Sequence, residues 1–258
     1  MPGTLIVQSD ARVATVTLNR PQSRNAMSAQ LLEDLIACAG GLAGTQDIDV
    51  VIVTGAGACF SAGADLKDSR RWGTDDASLI ARREIAALGL RMARAWEELP
   101  QITIAAIEGY AIGGGLALCA ALDWRVAARD AFVSLPEIAL GIPLTWGTIP
   151  RLVNLVGPAK AKRLTILCER FSALDAHAMG LVDHLAEPGR ALQLAREIAA
   201  SVLAMPPHSV RMSKETANAY ANLGAHAASY MAHDQLMLAA ASPESVAARA
   251  SALKKRRR

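Results

Sequence analysis

Residues 108–123 read Glu108-Gly109-Tyr110-Ala111-Ile112-Gly113-Gly114-Gly115-Leu116-Ala117-Leu118-Cys119-Ala120-Ala121-Leu122-Asp123. An apolar run, Ile102 to Ile107, leads in, and a small-residue run of helix-forming composition leads out. The pattern predicts a buried strand, a tight glycine turn and the start of a buried helix. Glycine lets another group approach the backbone closely, and a helix start offers unpaired N–H groups. Such a place can hold developing negative charge.

Upstream, Leu5 to Gln8 and Val13 to Leu18 flank Ser9-Asp10-Ala11-Arg12 and predict a hairpin. Ser28 caps a helix that runs to about Ala39 and stops at Gly40-Gly41. Val50-Val51-Ile52-Val53 is a buried strand followed by a glycine-spaced loop, residues 55–67, that enters a helix. Residues 69–76 are polar and predicted mobile, and Ala77 to Leu99 is a long helix ended by Pro100. Downstream, Trp124 to Ala128 and Ala131 to Ser134 predict a second strand pair, and Pro136-Glu137 opens a turn. From about residue 135 only helices are expected: 148–156, 158–168, 173–179, 189–205, 207–220, 227–240 and 243–254. A composition shift at Pro206-Pro207 divides an α/β core, 1–205, from a C-terminal helical region, 206–258.

With 258 residues and 52% hydrophobic content, the chain can bury a substantial core. The net charge of +3 owes much to Lys254–Arg258, read as a solvated tail, so no nucleic-acid partner is expected. No apolar run reaches membrane-spanning length and no signal peptide is apparent. Cys38, Cys59, Cys119 and Cys168 have neither metal-ligand nor redox spacing, which suits reduced thiols in the cytoplasm.

Two loops share one logic. Ala62-Gly63-Ala64-Asp65 and Gly113-Gly114-Gly115 each follow a buried strand and put small residues at an expected helix start, with Asp65 as a helix-start acid. Side by side, they could turn two N–H groups on one oxygen, an oxyanion hole; each alone reads first as a tight packing turn, and it is the two together that favour the oxyanion hole. Gly55-Ala56-Gly57 is only part of a dinucleotide fingerprint, because Phe60 stands where the third glycine belongs. Histidines 177, 184, 208, 226 and 233 form no metal or triad pattern, and no Gly-x-Ser-x-Gly elbow exists. Among the acids, Glu137 stands out. It lies among apolar residues before Gly141-Ile142-Pro143, where burial raises a carboxyl pKa toward neutrality. A helix-start acid stabilised by the dipole is the competing reading.

Taken together, Leu18-Asn19-Arg20-Pro21, Asn25-Ala26-Met27, Val53-Thr54-Gly55, Phe60 to Leu66, Gly109 to Gly115, Pro136-Glu137-Ile138 and Gly180-Leu181-Val182 resemble the crotonase superfamily, the enoyl-coenzyme A hydratase/isomerase family. The resemblance covers nearly the whole chain. It implies an α/β crotonase (ClpP-like) fold of repeated ββα turns and a C-terminal region that builds a homotrimer or hexamer. It implies an acyl-coenzyme A (acyl-CoA) thioester as substrate, with no separate cofactor or metal. The thioester oxygen would sit between the N–H groups of Ala64 and Gly114. Ser23, Arg24 and Ala62 would line the coenzyme A site with Ala64, and Lys67 would flank it. Asp65, Gly113 and Trp146 complete the expected substrate-binding set.

One departure bears on the reaction. Family hydratases hold the added water between two glutamates. Glu137 matches the second, but the first falls on Ala117, whose methyl group cannot orient water or carry a proton. Residues 141–147, Gly141 to Gly147, also replace a more glycine-rich family pattern, so Trp146 is expected to reshape the acyl pocket. One retained carboxylate suits double-bond isomerisation, in which a single base takes a proton at C2 and returns it at C4. The alternatives are a hydratase with a substitute for the missing glutamate, and an acyl-CoA-binding protein without catalysis.

Overall fold

The computed structural model describes residues 3–73 and 77–255. The end of the polar stretch, 74–76, and Arg256–Arg258 of the basic tail lie outside the described residues.

The expected hairpin forms: β1 (Leu5–Asp10) pairs antiparallel with β2 (Val13–Leu18). Helix α1 (Ala29–Ala43) follows, and the Leu31 N–H donates to Ser28 Oγ at its start. Then come β3 (Val50–Gly55), a single turn α2 (Ser69–Trp72) and α3 (Leu79–Glu97), capped by Ser78. The opening stretch becomes β4 (Ile102–Ile107), β5 (Tyr110–Ile112) and α4 (Gly114–Ala121). Next are β6 (Trp124–Ala128), β7 (Phe132–Ser134) and α5 (Thr148–Ile166), which breaks at Gly157 between the two expected helices. The chain continues through β8 (Arg170–Ser172), α6 (Ala173–Ala178), β9 (His184–Ala186) and α7 (Ala191–Leu203). It closes with α8 (Pro207–Ala221), α9 (Ala225–Ser229), α10 (Ala232–Ala240) and α11 (Pro243–Lys255).

A six-stranded sheet runs β1-β2-β3-β4-β6-β9, parallel from β2 onward, and a smaller one runs β5-β7-β8. Two sequence expectations are corrected. β6 and β7 are not a pair: β6 joins β4 and β9 in the large sheet, while β7 joins β5 and β8 in the small one. The units β4-β5-α4 and β6-β7-α5 thus each give one strand to each sheet, whereas β1 and β2 both stay in the large one. Strands also continue past residue 135, as β8 and β9. A third difference lies in 227–240, where two short helices stand in place of one.

Parallel strands are buried on both faces, so their sequences are continuously apolar. In β3, Val51 and Val53 face a core built with α1, α3 and α4, whereas Val50 and Ile52 face a second core under α7. Ala191, Ala195 and Ala199 of α7 recur every four residues along the buried stripe. Trp96 of α3 is wholly buried and donates its indole N–H to Leu35 O, tying α3 to α1. Buried Arg125 fixes the far end of α4 through Leu122 O at 2.9 Å and an ion pair with Asp183 at 2.7 Å. Lys214 of α8 reaches Asp123 at 2.6 Å and Gln101 O at 2.7 Å, which ties α8 to the strand β4 region. Among the described residues, no helix is long and apolar enough to cross a membrane.

Candidate active site

Two loops, one leaving the C-terminal end of β3 and one that of β5, lie against each other. The first is held from beneath by Asn25, whose buried side-chain amide donates to Ala56 O and Cys59 O, each at 2.9 Å. Ser61 Oγ donates to Asn25 O at 2.8 Å and accepts from the Gly63 N–H at 3.1 Å. The loops are stitched together by the Ile112 N–H on Ser61 O at 3.0 Å. Gly63 has φ +83° and crosses so close to the second loop that a Cβ there would stand 2.7 Å from Ile112 O.

Each glycine of the triplet is fixed by a different neighbour. A Cβ on Gly113 would lie 2.5 Å from Glu137 Oε1, one on Gly114 would lie 2.6 Å from the Trp146 ring, and one on Gly115 would lie 2.7 Å from Ser61 Cβ. Gly113, at φ +53°, is also in backbone territory that side chains avoid. Its own N–H is used, donating to Ser134 O at 2.8 Å. The N–H groups of Ala64 and Gly114 are different: neither has an acceptor among the described residues. Gly114 opens α4, so its free N–H is a helix-start donor. Ala64 is not at a helix start, contrary to expectation. It sits in an isolated bridge to Met27.

Asp65 is likewise no helix-start acid. It receives Arg20 Nη2 at 3.0 Å and the Lys67 N–H at 3.1 Å, while Asp68 caps α2.

Glu137 begins a one-turn 3-10 helix, Ile138–Leu140, and its carbonyl accepts from the N–H groups of Leu140 and Ile142. Its Oε2 is buried with no partner among the described residues. Burial pushes the carboxyl up from 4.5 to about 7, opposed only by hydrogen bonding at its own backbone N–H. Trp146 adopts φ +63°, and its ring wedges between Gly114 and Gly89 of α3. Arg151 holds that turn, donating to Trp146 O at 2.9 Å and Gly147 O at 3.1 Å. Arg151 is itself clamped by both oxygens of Glu97, each at 2.7 Å.

Several of these groups line one pocket that opens to solvent. Of the expected site residues it gathers Ala62, Ala64, Gly113, Gly114, Glu137 and Trp146, with Ala117 in its wall. It does not gather Ser23, Arg24, Asp65 or Lys67; Arg24 and Lys67 are exposed outside it. Among the described lining residues Glu137 is the only carboxylate, and no histidine lines the pocket. Sequence reading missed Arg71, Trp72 and Leu236. The Arg71 guanidinium lies over the rings of Trp72 and Trp146, at 5.3 and 5.4 Å, and Leu236 comes from α10. A tryptophan beside arginines in an otherwise polar run was the available hint. The arrangement offers two free N–H donors and one carboxyl that can exchange a proton near neutral pH in an apolar cavity.

The chain matches a family model described as Enoyl-CoA hydratase/isomerase over residues 8–255. It is 34% identical over 215 residues to the short-chain-enoyl-CoA hydratase of Clostridium acetobutylicum, covering 83% of this chain and 80% of that one. Its fold superposes on an enoyl-CoA hydratase from Mycobacterium avium subsp. paratuberculosis K-10 with a TM-score of 0.88 at 25% identity, covering 98% and 97% of the two chains. An enoyl-CoA hydratase/isomerase from Xanthobacter autotrophicus Py2 gives 0.87 at 29% identity, covering 96% and 91%.

Proposed function

Because the chain belongs to the enoyl-CoA hydratase/isomerase family and has its crotonase fold, we propose that it moves a carbon–carbon double bond within an enoyl-CoA thioester. In this reading Glu137, ionised, takes a proton from C2 of a 3-enoyl thioester. The electron pair spreads onto the thioester oxygen as a dienolate, which the N–H groups of Ala64 and Gly114 receive. The protonated Glu137 then returns the proton at C4, leaving the double bond between C2 and C3. Preorganised donors of this kind contribute several kcal/mol to stabilising such an anion, about 2.7–4 for one donor removed elsewhere.

The observation that carries the reading is the lone carboxylate: Ala117 lines the same pocket as Glu137, and no second acid joins them among the described residues. Hydration is the second reading, favoured by relatives that carry the name hydratase. It requires a second acid–base group to reach the pocket. Purified protein assayed with a 3-enoyl and a 2-enoyl thioester separates the two. Isomerisation of the first, little hydration of the second, and loss of turnover by about 10²–10⁴-fold in Glu137→Gln support the isomerase. Turnover that survives Glu137→Gln contradicts it.

The remaining assignments belong to the same proposal. Coenzyme A enters as part of the substrate, with no further cofactor, and its adenine end lies by Ser23, Arg24 and Lys67. The protein works in the cytoplasm as a homotrimer or hexamer assembled through 206–258. Exposed Met212, Tyr220, Leu223, Tyr230 and Leu238 on that region favour such burial.

A further inference from the structure

Arg71 is the only side-chain cation among the described residues that line the pocket. Its neighbours there include Leu140, Leu144 and Leu236, which would suit a plain hydrocarbon chain without it. The side chain is half-buried, and that burial draws its pKa down to about 10 against the opposing field of Asp68 and Asp65. A partly desolvated cation is costly, and Asp68 and Asp65 offset that cost without a direct ion pair, so its retention calls for a reason.

The geometry supplies one. The two indoles cover the guanidinium from Trp72 and Trp146. Nη1 donates to Met27 O at 3.0 Å. Nε and Nη2 have no acceptor among the described residues, and no carboxylate there lies within ion-pair reach of Arg71. Nor does Glu137 serve as its counter-ion, since no cation offsets the rise of that carboxyl. What is left is an in-plane fork of donors, the geometry that binds a carboxylate through both oxygens. An aromatic acyl group has less to gain, because Trp146 is stacked on Arg71 and wedged at Gly89 and Gly114, and Trp72 also lies under Arg249 at 5.8 Å.

We propose that the enoyl-CoA accepted here carries a carboxylate on its acyl chain, distal to the thioester, and that the Nε/Nη2 edge of Arg71 binds it. This inference rests on the thioester reading of the pocket. Arg71 is then a specificity residue that selects an acyl group with a charged end over one that ends in a methyl.

The test uses saturated thioesters, which bind without reacting: hexanoyl-CoA, the six-carbon thioester ending in a carboxylate, and the methyl ester of the latter. Calorimetric titration of the wild-type protein is expected to favour the carboxylate over its ester by at least about tenfold. Arg71→Met should bring that ratio close to one, and Arg71→Lys, charged but without the fork, should keep part of it. A wild-type ratio of one or below overturns the inference, as does a ratio unchanged in Arg71→Met. Equal weakening of all three thioesters in Arg71→Met also overturns it, because Arg71 would then serve the shared coenzyme A portion or the fold. A tenfold, Arg71-dependent preference in a protein that fails to isomerise leaves this inference standing and removes the isomerase. Failure of the wild-type protein to bind any of the three removes both.

Discussion

Gly113 and Glu137 are so close that any side-chain carbon on Gly113 would stand 2.5 Å from Glu137 Oε1. The residue that shapes the turn before the donor N–H therefore also sets where the carboxylate lies. Gly113→Ala should cost about 1–3 kcal/mol for the φ +53° backbone alone and push Glu137 from its place. The kcat of the proposed isomerisation is expected to fall at least about a hundredfold, with thermal unfolding and steady-state kinetics as the paired readouts.

The rate should follow the ionisation of Glu137. Proton removal needs the carboxylate, so kcat/KM is expected to rise with pH through about 7 and level off above it. A pH profile flat from 5 to 9 would remove Glu137 as the base.

Stability should move the opposite way. The folded protein keeps Glu137 protonated up to about pH 7, whereas the unfolded chain ionises it near 4.5. The group's contribution is complete below 4.5 and is lost as pH rises through about 7, a difference of at most about 3 kcal/mol. Glu137→Gln, which stays neutral, should therefore raise the melting temperature over wild type more at pH 8.5 than at pH 5. Differential scanning fluorimetry at the two pH values reads this directly.

Gly89 sets the other side of the site. A Cβ there would stand 1.9 Å from the Trp146 ring, so the ring must shift. Gly89→Ala is expected to cost about 1–3 kcal/mol by overpacking and to lower activity by displacing Trp146 toward the thioester position. A crystal structure of the variant with Trp146 unmoved would contradict this.

The parts of the fold legible in sequence are those whose local chemistry had one solution. Val50–Val53 and Ile102–Ile107 read as buried strands, and Gly113 after Ile112 as a close-approach turn into a helix. Glu137 stood out because an acid among apolar residues has few other uses. Other features were set by distant partners. Arg129-Asp130 looks like a hairpin turn, yet Val126–Ala128 are buried between β4 and β9, and Phe132–Ser134 are drawn to β5. The three-residue strands β8 and β9 are too short to show a period. Asp65 looked like a helix-start acid but answers to Arg20, 45 positions earlier. Arg71 and Trp72 read as part of a polar stretch until the chain brought Trp146 beside them.

The central claim is that one buried carboxyl both removes and returns the proton. It is tested most directly by NMR on a 3-enoyl-CoA bearing two deuterium atoms at C2. The account predicts a 2-enoyl product with deuterium carried to C4, because Glu137 holds the label away from solvent between the two steps, and no such product with Glu137→Gln. Formation of a 3-hydroxyacyl-CoA in place of the shifted enoyl, or a product whose C4 carries no deuterium, would contradict it.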